Sequence, residues 1–231
     1  MLRTIIFDFN GVILNDEPLH YQAMRDTVAE LGIALSKENY WSKYLPLDDT
    51  TCLNTICADS AVRLTAARRR WALERKAELY QRLLQGQYPL FPGAAQFVKE
   101  AADIYPLALA SGARRDEIEA ALLASGLRTC FRVIIGAEDF VLGKPHPESF
   151  LLALSELNAR LDGHSPPILP AECLVIEDSI DGVRGARAAG MMCVAVTNSY
   201  PRHQLLEANL IVSSLQEMAV GTLGSLLQER K

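Results

Sequence analysis

Four short stretches carry residue types suited to chemistry. Asp8-Phe9-Asn10-Gly11 follows the apolar run that begins at Thr4. A carboxylate leaving a strand ahead of a glycine turn can be an exposed nucleophile or an oxygen ligand for a hard cation; it can also simply start an Asx turn. Ser111-Gly112 follows the apolar Leu107–Ala110 and precedes a helix expected to begin near Arg114. A hydroxyl and backbone N–H groups in that position suit a phosphate oxygen, and equally an ordinary helix start. Gly143-Lys144-Pro145-His146-Pro147 places an ammonium on a turn stiffened by proline, where it can neutralise phosphate or keep an aspartate ionised. His146 reads as a turn residue. Glu177-Asp178-Ser179 follows a fourth apolar run. Adjacent acids leaving a buried strand repel each other and lose hydration, so they face solvent or a cation. With Asp8 on a nearby strand, Mg2+ is the natural compensator, being oxygen-liganded and content to keep waters.

The elements that must position these residues alternate. Strands are expected at 4–9, 107–110, 133–135, 173–176, 193–197 and 210–212, with helices at 93–103, 114–125, 147–158 and 180–189 between them. Strands alternating with helices predict an α/β fold, a parallel sheet covered on both faces. In such sheets ligands sit at the carboxyl ends of strands, where Asp8, Ser111 and Glu177-Asp178 fall. Residues 16–87 break the pattern. Helices are expected there at 18–31, 37–44, 50–58 and 65–84, and no strand. This predicts an all-helical domain (16–87) inserted into a core made of 1–15 and 88–231. Residues 161–170, with Gly163, Pro166, Pro167 and Pro170, read as an exposed loop.

Composition narrows the class. At 231 residues the chain can bury roughly 70% of its unfolded surface and needs no staples. Its 49% hydrophobic and 22% charged residues exclude a disordered chain. A net charge of −5 argues against nucleic acid or an anionic membrane as partner. Five cysteines, odd in number and without a Cys-x-x-Cys pair, argue against a disulfide framework. The first apolar run is too short for a signal peptide, and no run approaches the ~18 apolar residues of a membrane span. A cytoplasmic protein is expected.

Together the four motifs resemble the haloacid dehalogenase superfamily, in the branch of β-phosphoglucomutase and phosphoglycolate-phosphatase-like enzymes. Phe7-Asp8-Phe9-Asn10-Gly11-Val12 runs on to Glu17-Pro18-Leu19-His20, and Ser111, Lys144, Glu177-Asp178-Ser179 and Asn198-Ser199-Tyr200-Pro201 follow in the family order. The resemblance implies a Rossmann-like core with a helical cap and a Mg2+-dependent phosphatase acting on a small phosphorylated metabolite. It implies that Asp8 attacks phosphorus and becomes an aspartyl phosphate. Mg2+ would be held by Asp8, the Asn10 carbonyl and Asp178, with Glu177 as ligand or just behind. Ser111 and the Gly112 N–H would bind phosphoryl oxygens, and Lys144 would balance Asp8 and the phosphoryl group.

The chain departs from that pattern in two places. Relatives carry a second aspartate, the general acid and base, where this chain has Asn10, and an amide moves no proton at neutral pH. General acid–base catalysis supplies ~10²–10⁴-fold, so slow turnover is expected unless a neighbour such as Asp16 substitutes. The cap stretch 44–50 has Pro46 where relatives often have Gly, and lacks a basic residue near Thr50. Without an arginine there, no bidentate grip on a second phosphate forms, which weakens the alternative of a phosphohexose mutase. A third alternative is a weakly active phosphometabolite-binding or regulatory protein. Lys76 could reach substrate from the long cap helix, or lie on a solvated face pairing with acids; Arg68-Arg69-Arg70 reads as a solvated face.

Overall fold

Four-residue and five-residue runs of buried β-branched and aliphatic side chains set up the sheet. The computed structural model describes residues 1–45, 47–160 and 166–226. Pro46 and the first part of the 161–170 loop lie outside the described residues. Strands β1 (Thr4–Phe7), β2 (Leu107–Ala110), β3 (Phe131–Ile135), β4 (Cys173–Glu177), β5 (Met192–Val196) and β6 (Leu210–Val212) form one sheet in the order β3-β2-β1-β4-β5-β6. Every pairing is parallel. The chain steps outward from β1 in one direction, then returns to pair β4 on its other side. The reversal between β1 and β4 is the point where open α/β sheets leave a crevice at their carboxyl ends.

Side chains alternate across the pleat. Ile5, Phe7, Leu107 and Leu109 enter one apolar layer, under α5 (Ala94–Ile104) and α6 (Arg115–Ala124). Ile6, Ala108, Ala110 and Val175 enter the other, under α7 (Glu148–Ala159) and α8 (Ile180–Ala188). Helix α5 buries Ala94, Phe97, Val98 and Ala101, the i, i+3, i+4, i+7 stripe of an amphipathic helix. Phe7 is fully buried, its ring edge-on to Phe97 at 6.1 Å and Phe131 at 5.9 Å. Burying one such side chain contributes roughly 1.5–3 kcal/mol, which fixes β1 immediately before Asp8. A last short helix, α9 (Leu223–Leu226), closes the described chain.

The backbone divides into two compact units, 1–15 with 88–231, and 16–87. The first is closed where the second interrupts it. Leu14 and Leu90 form an antiparallel bridge, Asn15 N–H donates to the Pro89 carbonyl (2.8 Å) and Phe91 N–H to that of Ile13 (3.0 Å). The helical unit holds α1 (Glu17–Ala29), α2 (Lys37–Asn39), a π-helical turn (Tyr40–Tyr44), α3 (Asp49–Asp59) and α4 (Ala66–Leu84). Its own core gathers Met24, Val28, Tyr40, Tyr44, Leu53, Ile56 and Ala72. Asp48 caps α3 by accepting from the Thr50 and Thr51 N–H groups, and Thr65 caps α4 through Arg68 N–H.

Most elements shift by a residue or two from expectation, and two of the differences have a visible cause. The strand expected over 4–9 ends at Phe7, because Asp8 makes its last ladder bond to the Ile176 carbonyl (2.9 Å) and Phe9 already accepts from Ile13 and Leu14. The single helix expected over 37–44 splits, with a π turn taking its second half. There Tyr40 packs on Tyr21 and Trp41 while its hydroxyl reaches Glu17, and Tyr44 turns inward to Asp59. The wider turn lets both tyrosines bury their rings. No helix among the described residues is long and apolar enough to cross a membrane. All five cysteines are free.

Candidate active site

The polar residues of the first unit meet at the carboxyl ends of three adjacent strands. Asp8 leaves β1, Ser111 leaves β2 and Glu177-Asp178 ends β4, with β1 in the middle. Lys144 comes from the turn after β3. Its Nζ donates to the Asp8 carboxylate and to Glu177 Oε1 (2.6 Å), and lies 4.9 Å from the Phe150 ring centroid. The stem is therefore held by packing and the charge by two acids. The Lys144–Pro145 peptide is cis. His146 is exposed and closes the turn onto Gly143, as its sequence context suggests.

Each acid is fixed differently. Glu177 is fully buried and both oxygens are engaged. Oε1 takes Lys144, and Oε2 accepts from the N–H groups of Asp178 and Ser179 (2.8 Å each) and the Ser179 hydroxyl (2.9 Å). Burial would raise its pKa, but the Lys144 charge and these donors outweigh it and hold the carboxyl below its ordinary range. Gly182 is required beneath it, since a Cβ there would collide with the Glu177 carboxylate. Asp178 accepts from the Ser199 hydroxyl and lies against Gly11, where a Cβ would strike its carboxylate. Gly11 also needs its left-handed φ of +80°. That turn sets Asp178 beside the Asn10–Gly11 peptide, and the Asn198 side-chain amide donates to the Gly11 carbonyl (2.6 Å) to hold it.

The charges do not balance. Asp8, Glu177 and Asp178 are all under a tenth exposed, against one ammonium. Burial pushes the Asp8 pKa up to about 7, with Glu177 adding to it and Lys144 opposing. Burial, then the Glu177 and Asp8 charges, push Asp178 well above the carboxylate range. Lys144 is raised as well, because its two acids outweigh its burial. A further positive charge is what the cluster lacks. No ready cage of three acidic, histidine or cysteine side chains exists among the described residues, and Lys144 pairs with Asp8 and Glu177. The donor set nevertheless fits Mg2+, which uses one or two carboxylates, a carbonyl and waters rather than an all-protein cage.

At the end of β2, Ser111 is buried and its Oγ accepts from Ala113 N–H (3.2 Å), while the Gly112 N–H has no hydrogen bond among the described residues. The pair thus offers a hydroxyl proton and an N–H from one exposed turn. Asn10 is half-buried in the Asn10↔Leu14 bridge.

In the helical unit, Lys76 is not the solvated surface lysine of one sequence reading. It is 3% exposed, with Nζ 2.7 and 2.8 Å from the two Asp49 oxygens and 2.6 Å from His20 Nδ1. An ammonium only donates, so Nδ1 accepts and the ring proton sits on Nε2, which faces Asp16 at 3.3 Å. Asp16 is buried, receives the Tyr80 hydroxyl (2.7 Å), and the Tyr80 ring stacks on His20 with centroids 4.2 Å apart. Thr50 is exposed at the start of α3, where its N–H serves the Asp48 cap. Of the sequence candidates, Asp8, Ser111, Lys144, Glu177 and Asp178 share the strand-end cluster, and Asp16 and Lys76 share this second one. Sequence reasoning gave no role to Asn198, Ser199, His20, Asp49 or Tyr80. For the first two a signal existed: they follow β5, a strand end like the others.

Residues 2–190 match the sequence profile of the haloacid dehalogenase-like hydrolases. The chain is 31% identical over 227 residues to hexitol phosphatase B of Escherichia coli, covering 92% of each. It is 30% identical over 217 residues to the chloroplastic 5-amino-6-(5-phospho-D-ribitylamino)uracil phosphatase of Arabidopsis thaliana. That match covers 93% of this chain and spans about half (55%) of the relative. Among solved structures, an Asp-to-Asn mutant of CbbY from Rhodobacter sphaeroides, in complex with xylulose-(1,5)bisphosphate, is 28% identical. It superposes with a TM-score of 0.76 over 95% of this chain and 97% of that one.

Proposed function

Because the chain belongs to the haloacid dehalogenase-like hydrolases, we propose that it is a Mg2+-dependent phosphatase for a small phosphorylated metabolite, working through an aspartyl phosphate on Asp8. The observation that carries this reading is the Asp8 carboxylate at the β1–β4 reversal, bonded to Lys144 and short of positive charge. Phosphoryl transfer needs in-line placement and charge neutralisation above all. An Asp8 oxygen forms the bond to phosphorus as the ester P–O bond breaks, and water then cleaves the acyl phosphate to restore Asp8. Ser111 Oγ–H and Gly112 N–H hold phosphoryl oxygens. Lys144 keeps Asp8 ionised and meets charge that develops on the phosphoryl group.

Mg2+ would be held by Asp8, the Asn10 carbonyl and Asp178, and when bound it neutralises negative charge on the transferring group. Glu177, its oxygens already taken, positions Lys144. Asn198 and Ser199 fix the Gly11 turn and Asp178. Asn10 can donate a hydrogen bond to the leaving oxygen but cannot protonate it, so the proton comes from water. Substrates whose leaving groups need little protonation, such as aryl and acyl phosphates, are favoured. Asp16 as a surrogate acid would have to give up Tyr80 and His20. Lys76 carries a charge already balanced by Asp49, which favours a monophosphate over a bisphosphate.

The test is p-nitrophenyl phosphate hydrolysis with Mg2+ and with EDTA. Mg2+-dependent turnover that falls to background in Asp8→Ala supports the reading. Folded protein that binds Mg2+ but turns over neither aryl nor acyl phosphate makes it a binding protein instead. Conversion of a hexose 1-phosphate to the 6-phosphate makes it a mutase.

A further inference from the structure

A cleft of about 640 Å³ opens within the helical unit, on the side of α3 and its connection to α4. It shares no residue with the clusters described above. Its lining is mainly apolar, with Cys57 and Ala58 from α3 and Val62 from the connection. Asn54 adds an amide to the lining, and Arg63 and Arg69, both exposed, add two guanidinium groups. The volume falls inside the ~300–1,000 Å³ range of small-molecule sites, and apolar walls with few polar groups are their usual make-up.

The two arginines are what make the cleft selective. Four of the ten lysines and arginines of this unit are ion-paired among the described residues: Arg25 to Asp26, Lys43 to Asp59, Arg75 to Glu30 and Glu78, and Lys76 to Asp49. Neither the Arg63 nor the Arg69 guanidinium has a hydrogen bond or ion pair among the described residues. Asp59, the acid nearest in sequence, is already bound to Lys43 (2.5 Å) and the Tyr44 hydroxyl (2.7 Å). Arg68, beside Arg69, lies over the Trp71 ring at 3.9 Å, and all of Arg68-Arg69-Arg70 is exposed, as its sequence suggests. Cys57 lines the cleft, its thiol pushed up by burial with the Arg69 charge opposing. Two uncommitted guanidinia beside a mainly apolar lining suit an anionic head with an apolar body, since guanidinium grips carboxylate, sulfonate or phosphate oxygens in a planar fork.

We infer that this cleft is a second, non-catalytic binding site for a small amphipathic organic anion, held by Arg63 and Arg69 with its apolar body against Cys57, Ala58 and Val62. Nothing in this inference depends on the phosphatase reading, because its readout is binding and not turnover.

The probe is 8-anilinonaphthalene-1-sulfonate, a sulfonate on an aromatic body, titrated by fluorescence into the full chain. One saturable site per chain is expected. Arg63→Gln/Arg69→Gln should weaken it by about tenfold or more, as loss of charge-assisted hydrogen bonds implies. Ala58→Trp, which fills the cleft while keeping both cations, should abolish it. Neither variant should change p-nitrophenyl phosphate turnover. Melting curves identify which variants are folded, and Ala58→Trp decides the matter if the double variant is not. No saturable binding to the folded parent, or equal affinity in the parent and a folded variant, would overturn the inference.

Discussion

Both units bury a lysine among acids, and they do so in opposite ways. Lys144 serves Asp8 and Glu177, with Asp178 close by, so three buried carboxylates share one ammonium. Lys76 meets one carboxylate, Asp49, that is itself 53% exposed, and a neutral ring, His20. The strand-end cluster keeps an unspent negative charge out of water, which costs stability unless something else is bound. In the helical cluster the acid that meets the ammonium, Asp49, reaches solvent, and the buried Asp16 carboxylate takes the Tyr80 hydroxyl and the His20 ring instead of a cation. The difference lies in how many buried acids press on the one ammonium, two at Lys144 and none at Lys76.

The largest expected change sharpens this contrast from the strand-end side. Asn10→Asp adds a proton-transferring carboxylate to the richer cluster, and turnover of alkyl phosphates should rise by about 10²–10⁴-fold. Steady-state assays with an alkyl phosphate and with p-nitrophenyl phosphate check it, the gain being smaller for the aryl ester. Asp16→Asn should leave both rates unchanged; a collapse in turnover would make Asp16 the acid after all.

Removing each lysine breaks the comparison directly. Lys144→Met leaves buried carboxylates unmatched and should lower unfolding free energy by about 3–5 kcal/mol without metal. Lys76→Met should cost nearer 1 kcal/mol, because Asp49 can turn to water. Urea unfolding in EDTA measures both, and equal losses would erase the distinction. Between these in size lies the response to pH and Mg2+. Asp8 moves from 3.8 unfolded to about 7 folded, and Asp178 is raised too, so the folded state holds more protons between about pH 4 and 7. Stability of the metal-free protein should therefore fall as pH rises through that window. Glu177, held below its ordinary value by Lys144 against its burial, works in the opposite direction. Saturating Mg2+ should restore about 2–3 kcal/mol at pH 8 and almost nothing at pH 5, by mass action on the ionised site. A melting temperature indifferent to Mg2+ at pH 8 would count against the metal.

The sheet was legible because a parallel strand buried on both faces reads as an unbroken apolar run, and β2 and β6 begin and end where those runs do. The strand-end acids followed from the rule that ligands gather at carboxyl ends. Asn198 and Ser199 obey the same rule and stand in a motif of the family order, but an amide and a hydroxyl carry no charge conflict from which to read their role. The helical unit was harder. Lys76 lies in a run of charges, and nothing in its spacing shows that Asp49 and His20, far off in sequence, converge on it. Arg63 and Arg69 were hidden for the converse reason, since an arginine without an acid partner looks in sequence like any other surface arginine.

The bridge between Leu14 and Leu90 gives the molecule a seam. Where the chain leaves the sheet-bearing unit after Asn15 and where it returns at Tyr88, the two ends are already knotted by backbone hydrogen bonds belonging to that unit alone. Whatever is spliced in at the seam enters and exits through a single doorway, and its length costs the sheet only the slow logarithm of loop closure. The chemistry of Asp8 can thus be kept while the inserted unit is exchanged, enlarged or trimmed.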